Sequence, residues 1–286
     1  MWSLKLLSVF AVLALTSAAG FRFGLPLKAL QGGGAPPKRD TCDGQRFKVA
    51  TIGLTNSLNV NTNTFWKDPM VLQSNLYYLL GTKNSLDDLT ARCNAFSNFY
   101  ANLGNVEIRW CLGVTGFVRR GISPADAYAF EGLLRQNRFQ CGSGFYISQY
   151  HKQKMLQCIS NTAKNNYQGK LANATAAYRL NVAHDAGNAC NYTSILQKTY
   201  TQVFARGACA SVDANLAGFW ACEGQSQYIS AQFPHCVYSN KCDYSTVLQP
   251  AEDYAKVNEH GEMMVYIPPT WVEKNGKLVQ EPEKWI

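Results

Sequence analysis

Histidine is scarce in this chain of 286 residues: there are four, His151, His184, His235 and His260. No H-E-x-x-H occurs, which removes the helical zinc-protease pattern, and no C-x-x-C occurs, which removes the repeated ligand spacing of structural zinc sites. "AHDAG" sets His184 beside Asp185, adjacent in sequence and so unsuited to a base–orienter pair. "NEHGE" gathers Glu259, His260 and Glu262 in a glycine-containing stretch that reads as a solvated loop. "CGSGF" places Ser143 between glycines without the G-x-S-x-G elbow that exposes a nucleophile. "HCVYSNKC", with His235, Cys236 and Cys242, comes nearest to a metal set, yet it reads as a disulfide corner. Carboxylates stand singly or as first-turn helix caps, such as Asp87 and Asp88. No catalytic, cofactor-binding or metal residue is assigned, and the chain is read as non-enzymatic.

Long hydrophobic runs are also missing. The longest spans Leu6–Leu15, about half of the roughly 20 residues a membrane span requires. Preceded by Lys5 and followed by Thr16, Ser17, Ala18 and Ala19, it has the layout of a secretory signal peptide over residues 1–19. No transmembrane segment is expected. Residues 20–39 are rich in glycine and proline and close on Lys38-Arg39, as a linker or a propeptide would. Acid is absent up to Asp40, and this alters the charge balance. The chain carries 27 Lys+Arg against 19 Asp+Glu, a net +8. Lys5, Arg22, Lys28, Lys38 and Arg39 precede Asp40, so five of those eight surplus charges leave +3 for the remainder. Basic residues come at most in pairs such as Arg119-Arg120, and no nucleic-acid partner is inferred.

What the chain does hold is cysteine. Cys42, Cys93, Cys111, Cys141, Cys158, Cys190, Cys209, Cys222, Cys236 and Cys242 make an even ten, none of them in the leader. In an oxidising compartment they imply five disulfides whose connectivity the spacing does not reveal. Asn173-Ala174-Thr175 and Asn191-Tyr192-Thr193 are N-glycosylation acceptors, meaningful in the same secretory pathway. Both features imply a secreted, extracellular glycoprotein.

Residues 40–242 read as a helical, cysteine-rich domain. Ser85 caps a run in which Leu86, Leu89, Cys93, Phe96, Tyr100 and Leu103 recur at helical spacing until Gly104. Ser123 and Pro124 open a second, with Ala127, Phe130, Leu133 and Leu134 on its buried face. Helices are expected in "GFYISQYHKQKMLQCI", "YTSILQKTYTQVFARG" and, capped by Ser211, "SVDANLAGFWAC". "KLANATAAYRLNVAHDAGNAC" reads as partly helical, and "LTNSLNVNTNTFW" as an irregular N-terminal loop. An internal echo is visible: Cys93 and Cys111 enclose a helical pattern, and so do Cys190 and Cys209. The cysteine-free tail, 243–286, carries Asn275-Gly276 between alternating arms, a β-hairpin signal. The fold class is therefore mainly α, disulfide-stapled, with an irregular N-terminal segment and a hairpin tail. The 15 Tyr, 14 Phe and 6 Trp read first as core filling and second as the lining of an apolar pocket.

The Leu-rich helix running into Cys93, the Cys141-Gly142-Ser143-Gly144-Phe145 turn and the closing series Cys209, Cys222, Cys236 resemble a nematode-specific family of secreted, cysteine-rich extracellular domains of unknown function. The resemblance covers roughly residues 80–242 and implies an extracellular helical domain; it supplies no catalytic residues. The functional expectation is a secreted protein that binds an extracellular protein or a surface. Carriage of a small apolar ligand such as a lipid is the alternative, and a hydrolase with an unrecognised site is the third.

Overall fold

The computed structural model describes residues 41–243 and 254–286. The signal expected over 1–19 and the linker or propeptide expected over 20–39 lie outside the described residues. From Thr41 onward the chain forms one unit, and its helices follow from local signals. Asp43 opens α1 (Gly44–Leu58) by accepting from the Gln45 and Arg46 amides, and Asp68 with Pro69 opens α2 (Pro69–Thr82). Ser85 caps α3 (Leu86–Leu103) and Ser123 caps α6 (Pro124–Cys141), each hydroxyl accepting from the amide of the aspartate three residues on and donating to that aspartate's carboxylate. Between them lie α4 (Asn105–Leu112) and α5 (Val114–Arg119). Beyond α6 come α7 (Ser143–Ser148), α8 (Lys154–Asn166), a π-helical turn Tyr167–Leu171, and α9 (Ala172–His184). The helical part closes with α10 (Ala189–Arg206), α11 (Ala210–Ile229) and α12 (Pro234–Ser239).

Three local expectations are corrected. Of the stretch 54–66 expected to be irregular, only 54–58 belongs to α1, while 59–66 is loop and turn: Ala50, Leu54 and Leu58 recur every four residues and are buried, and this apolar face outweighs the weak helix preference of Asn and Thr. The single helix expected over 144–159 is broken, because His151, Lys152 and Gln153 all have positive φ. Ser211 is not the cap of α11. The backbone leaves helical geometry at Asp213 (φ −164°, ψ 98°), and the Asp213 carboxylate accepts from the Leu216 amide at 2.9 Å.

All ten cysteines are paired: Cys42–Cys111, Cys93–Cys141, Cys158–Cys209, Cys190–Cys236 and Cys222–Cys242. Two bridges interlace within residues 42–141 and three within 158–242, and none crosses from one half to the other. The internal echo extends to this order. Cys42–Cys111 interlaces with Cys93–Cys141 as Cys158–Cys209 does with Cys190–Cys236, while Cys222–Cys242 has no counterpart in the first half.

Helix packing joins the halves, chiefly α6 on α11 and α2 on α8. A Cβ added at Gly132 of α6 would stand 2.5 Å from the Tyr228 carbonyl oxygen of α11, so only glycine permits this approach. Aromatic rings fill the interior. Trp66 meets Phe47, Phe65, Phe99, Phe117 and Phe130 at centroid distances of 5.0–6.0 Å, and Tyr77 stacks on Tyr167 at 4.2 Å. The buried Arg92 guanidinium of α3 donates to Asn137 Oδ1 at 3.1 and 2.5 Å and to Gln140 Oε1 at 2.6 Å, both on α6.

The tail forms a three-stranded antiparallel sheet in the order β1 (Ala255–Val257), β2 (Met263–Ile267), β5 (Lys284–Trp285), plus the hairpin β3 (Thr270–Lys274) and β4 (Lys277–Glu281). Asn275 and Gly276 turn the hairpin with φ of 53° and 70°, the left-handed pair of a type I′ turn. The tail docks on the helices. Buried Asn181 of α9 donates to the Pro269 carbonyl (2.9 Å) and accepts from the Trp271 amide (3.0 Å), while Gln202 accepts from the Tyr254 and Ala255 amides (2.6 and 2.8 Å). Among the described residues no helix is long and apolar enough to cross a membrane.

Two outcomes follow from these contacts. Arg92→Leu strands the Asn137 and Gln140 acceptors and should lower the unfolding free energy by about 3 kcal/mol, read from denaturant midpoints. Asn181→Leu leaves the Pro269 carbonyl and the Trp271 amide of the tail unpaired and should cost about 2 kcal/mol. Limited proteolysis should then cut the tail before the helical body.

Candidate binding groove

The residues singled out in the sequence do not converge. His151 stands in the left-handed break after α7 with its ring against Tyr150 at 4.2 Å. His184 ends α9 and is exposed, and His260 is exposed beside Glu259 (3.6 Å) in the turn before β2. Ser143 is an exposed first residue of α7. Asp87 and Asp88 occupy the first turn of α3 as expected. His235 lies near the sulfurs of Cys190 and Cys236, and the buried Glu107 lies near those of Cys42 and Cys111. In each group the two sulfurs are bonded to one another, so neither offers thiolate ligands; Cys242, expected beside His235, is bridged to Cys222. The Glu107 carboxylate instead accepts from the Asp43 amide at 2.8 Å. Asn173 and Asn191 are both exposed, on α9 and α10, while Thr175 and Thr193 of their acceptor triplets are buried with hydroxyls donating to main-chain carbonyls.

A groove missed by the sequence reading lies between the start of α6 and the outer face of α9. It encloses about 380 Å³ and is lined chiefly by apolar and aromatic groups, among them Met70, Tyr128, Leu180, Val182 and Tyr228. Its space comes from small side chains. Ala125 and Ala129 on α6 face Ala176 and Ala183 on α9, and each alanine withholds the volume that a larger residue would fill. Only such a deficit of side-chain volume signals it, and that is invisible until the two helices are placed together.

Arg179 of α9 forms an ion pair with Asp126 of α6, tying the walls together at one edge. On the floor, Tyr178 and Tyr228 meet edge to face at 6.2 Å. Burial raises the pKa of both, that of Tyr228 to about 12 despite the neighbouring Arg179 cation, which pulls the other way. Both hydroxyls therefore stay neutral at physiological pH. The groove offers apolar contact, ring faces and neutral hydroxyls.

A larger recess of about 690 Å³ lies where the sheet meets α8 and α10. Its cations are committed to docking the tail: Lys170 donates to the Met263 carbonyl, and Arg206 to that of Ala255.

Filling the groove should weaken the uptake of apolar probes there. Ala176→Trp is expected to weaken uptake of a neutral apolar dye such as Nile red by roughly tenfold, measured by fluorescence titration, with an unchanged melting temperature. No family model, no curated protein and no solved structure matches this chain.

Proposed function

We propose that this is a secreted, non-enzymatic protein of the extracellular space that binds a macromolecular partner by accepting an apolar group of that partner into the α6–α9 groove. One observation carries the reading: the interior aromatics are packed against each other, while this one apolar, tyrosine-floored depression stays open to solvent. Five disulfides and the absence of a membrane-spanning helix among the described residues agree with an oxidising destination. The signal peptide, the two acceptor asparagines and the nematode-family resemblance belong to the same reading.

Carriage of a small apolar ligand is the second reading, favoured by the volume of about 380 Å³, which lies within the range of small-molecule sites. The position of Asn173 favours it too. Asn173 shares a face of α9 with Ala176, Leu180 and Ala183, so a glycan there would stand beside the groove and narrow the approach of a large partner. A hydrolase finds least support, since neither His151 nor His184 lines the groove.

A photo-reactive benzoylphenylalanine at Leu180, compared with one at Tyr146 outside the groove, separates the readings in extracellular fluid. A cross-linked protein at Leu180 alone supports the first, and a small-molecule mass adduct there supports the second. Equal labelling at both positions, or none, overturns the groove as the binding site.

A further inference from the structure

On the side of α6 bearing Glu131, Leu134, Arg135 and Arg138, a second cleft of about 450 Å³ opens against α3 and α4. Three guanidinium groups line it, those of Arg109, Arg135 and Arg138, against one carboxylate, Glu131. That carboxylate is already committed. Its Oε1 accepts from Arg135 at 2.5 Å and its Oε2 from the Val114 amide at 3.2 Å. Among the described residues Arg109 and Arg138 have no acidic partner.

Both are instead placed by aromatic rings. The Arg138 guanidinium lies 5.7 Å from the Tyr100 ring centre, and that of Arg109 lies 5.5 Å from the centre of Trp110. A cation–π contact engages the flat face of a guanidinium and leaves its N–H edge for a planar or tetrahedral oxyanion. The buried Tyr100 hydroxyl on the cleft's lining has the Arg138 guanidinium, a donor, beside it, and among the described residues no acceptor takes its own proton. Ile108, Leu112 and Leu134 supply an apolar wall, and the volume greatly exceeds that of a bare ion.

We propose that this cleft binds a sulfate or phosphate monoester carried on a small organic body such as a sugar ring. Arg109 and Arg138 would hold the oxyanion, the Tyr100 hydroxyl would donate to it, and the ring would lie against the apolar wall. The proposal is independent of the α6–α9 groove.

Calorimetric titration of the full chain with inorganic sulfate, inorganic phosphate, glucosamine 6-sulfate and a heparin-derived tetrasaccharide tests it. The sugar esters should bind more tightly than the free ions, and less tightly as salt rises. Arg109→Gln and Arg138→Gln should each weaken binding roughly tenfold, and Arg138→Lys, which keeps the charge but loses the fork, should recover only part of it. Both arginines are exposed, so the variants should melt with the native protein. Lys277→Gln, on the exposed tail hairpin outside the cleft, should bind as the native chain does. A tetrasaccharide tighter than the monosaccharide assigns the ester to a polymeric glycan, and the reverse assigns it to a small metabolite; either supports the site. Binding of the free ions alone, no binding at all, or equal loss in Lys277→Gln overturns it.

Discussion

The architecture depends on one buried cation. Arg92 is almost fully enclosed, and among the described residues no carboxylate hydrogen-bonds to it; its donors end on the side-chain oxygens of Asn137 and Gln140 and, at 3.5 Å, on the Leu76 carbonyl. Burial pulls its pKa down to about 10, still far enough above neutrality that the group stays charged. A buried charge is tolerated only when its hydrogen bonds are met, so α2, α3 and α6 must sit where those three oxygens converge. The next residue along each of two helices completes the lock, since Cys93 follows Arg92 and Cys141 follows Gln140, and these two cysteines are bridged. The same contact fixes the rotation of α6 about its axis. That rotation turns Gly132 toward α11, Ala125 and Ala129 toward α9, and Arg138 toward the cleft.

The bridges divide the labour differently from the packing. Each disulfide restricts the unfolded chain by roughly 2–4 kcal/mol, but all five act within one half or the other. Cohesion between the halves is left to side-chain packing, with Gly132 against Tyr228 at its tightest point. The groove lies on this seam, drawing Met70, Ala125 and Tyr128 from the first half and Tyr178, Leu180 and Tyr228 from the second. The cleft reaches it as well through Gln227. A heavily cross-linked protein thereby keeps its candidate binding surfaces where no cross-link passes.

Much of the fold was legible because its signals are local. Ser85 and Ser123 announce their helices with an aspartate three residues on, and Asn275-Gly276 specifies a turn few other pairs can adopt. Evenness of the cysteine count foretold full pairing. What escaped reading was contextual. In α1, Asn and Thr concealed an apolar face that was present at regular spacing. In α3 the expected stripe ran through Cys93 and Tyr100, whereas the buried positions are Leu89, Arg92, Phe96, Phe99 and Leu103. A charged residue in phase with an apolar stripe was the available sign that Arg92 points inward. The groove's position had no local sign, because its space is what Ala125, Ala129, Ala176 and Ala183 leave unfilled between two helices.

Charge shows most clearly why a sum over the chain misleads. From Asp40 onward the excess is only +3, and such a balance gives no reason to look for an anionic partner. The field at a surface, however, depends on where charges stand and on which of them are already answered. Glu131 is spent on Arg135 and on a main-chain amide, and Asp126 on Arg179 across the groove. Arg109 and Arg138 come from stretches 29 positions apart in sequence and meet only because α4 and α6 share a cleft. Held over aromatic faces and not against carboxylates, they keep their hydrogen-bonding edges open. An ion pair would have satisfied the same side chains and closed the site, so the use of rings in place of acids leaves this patch available to the oxyanion proposed for it.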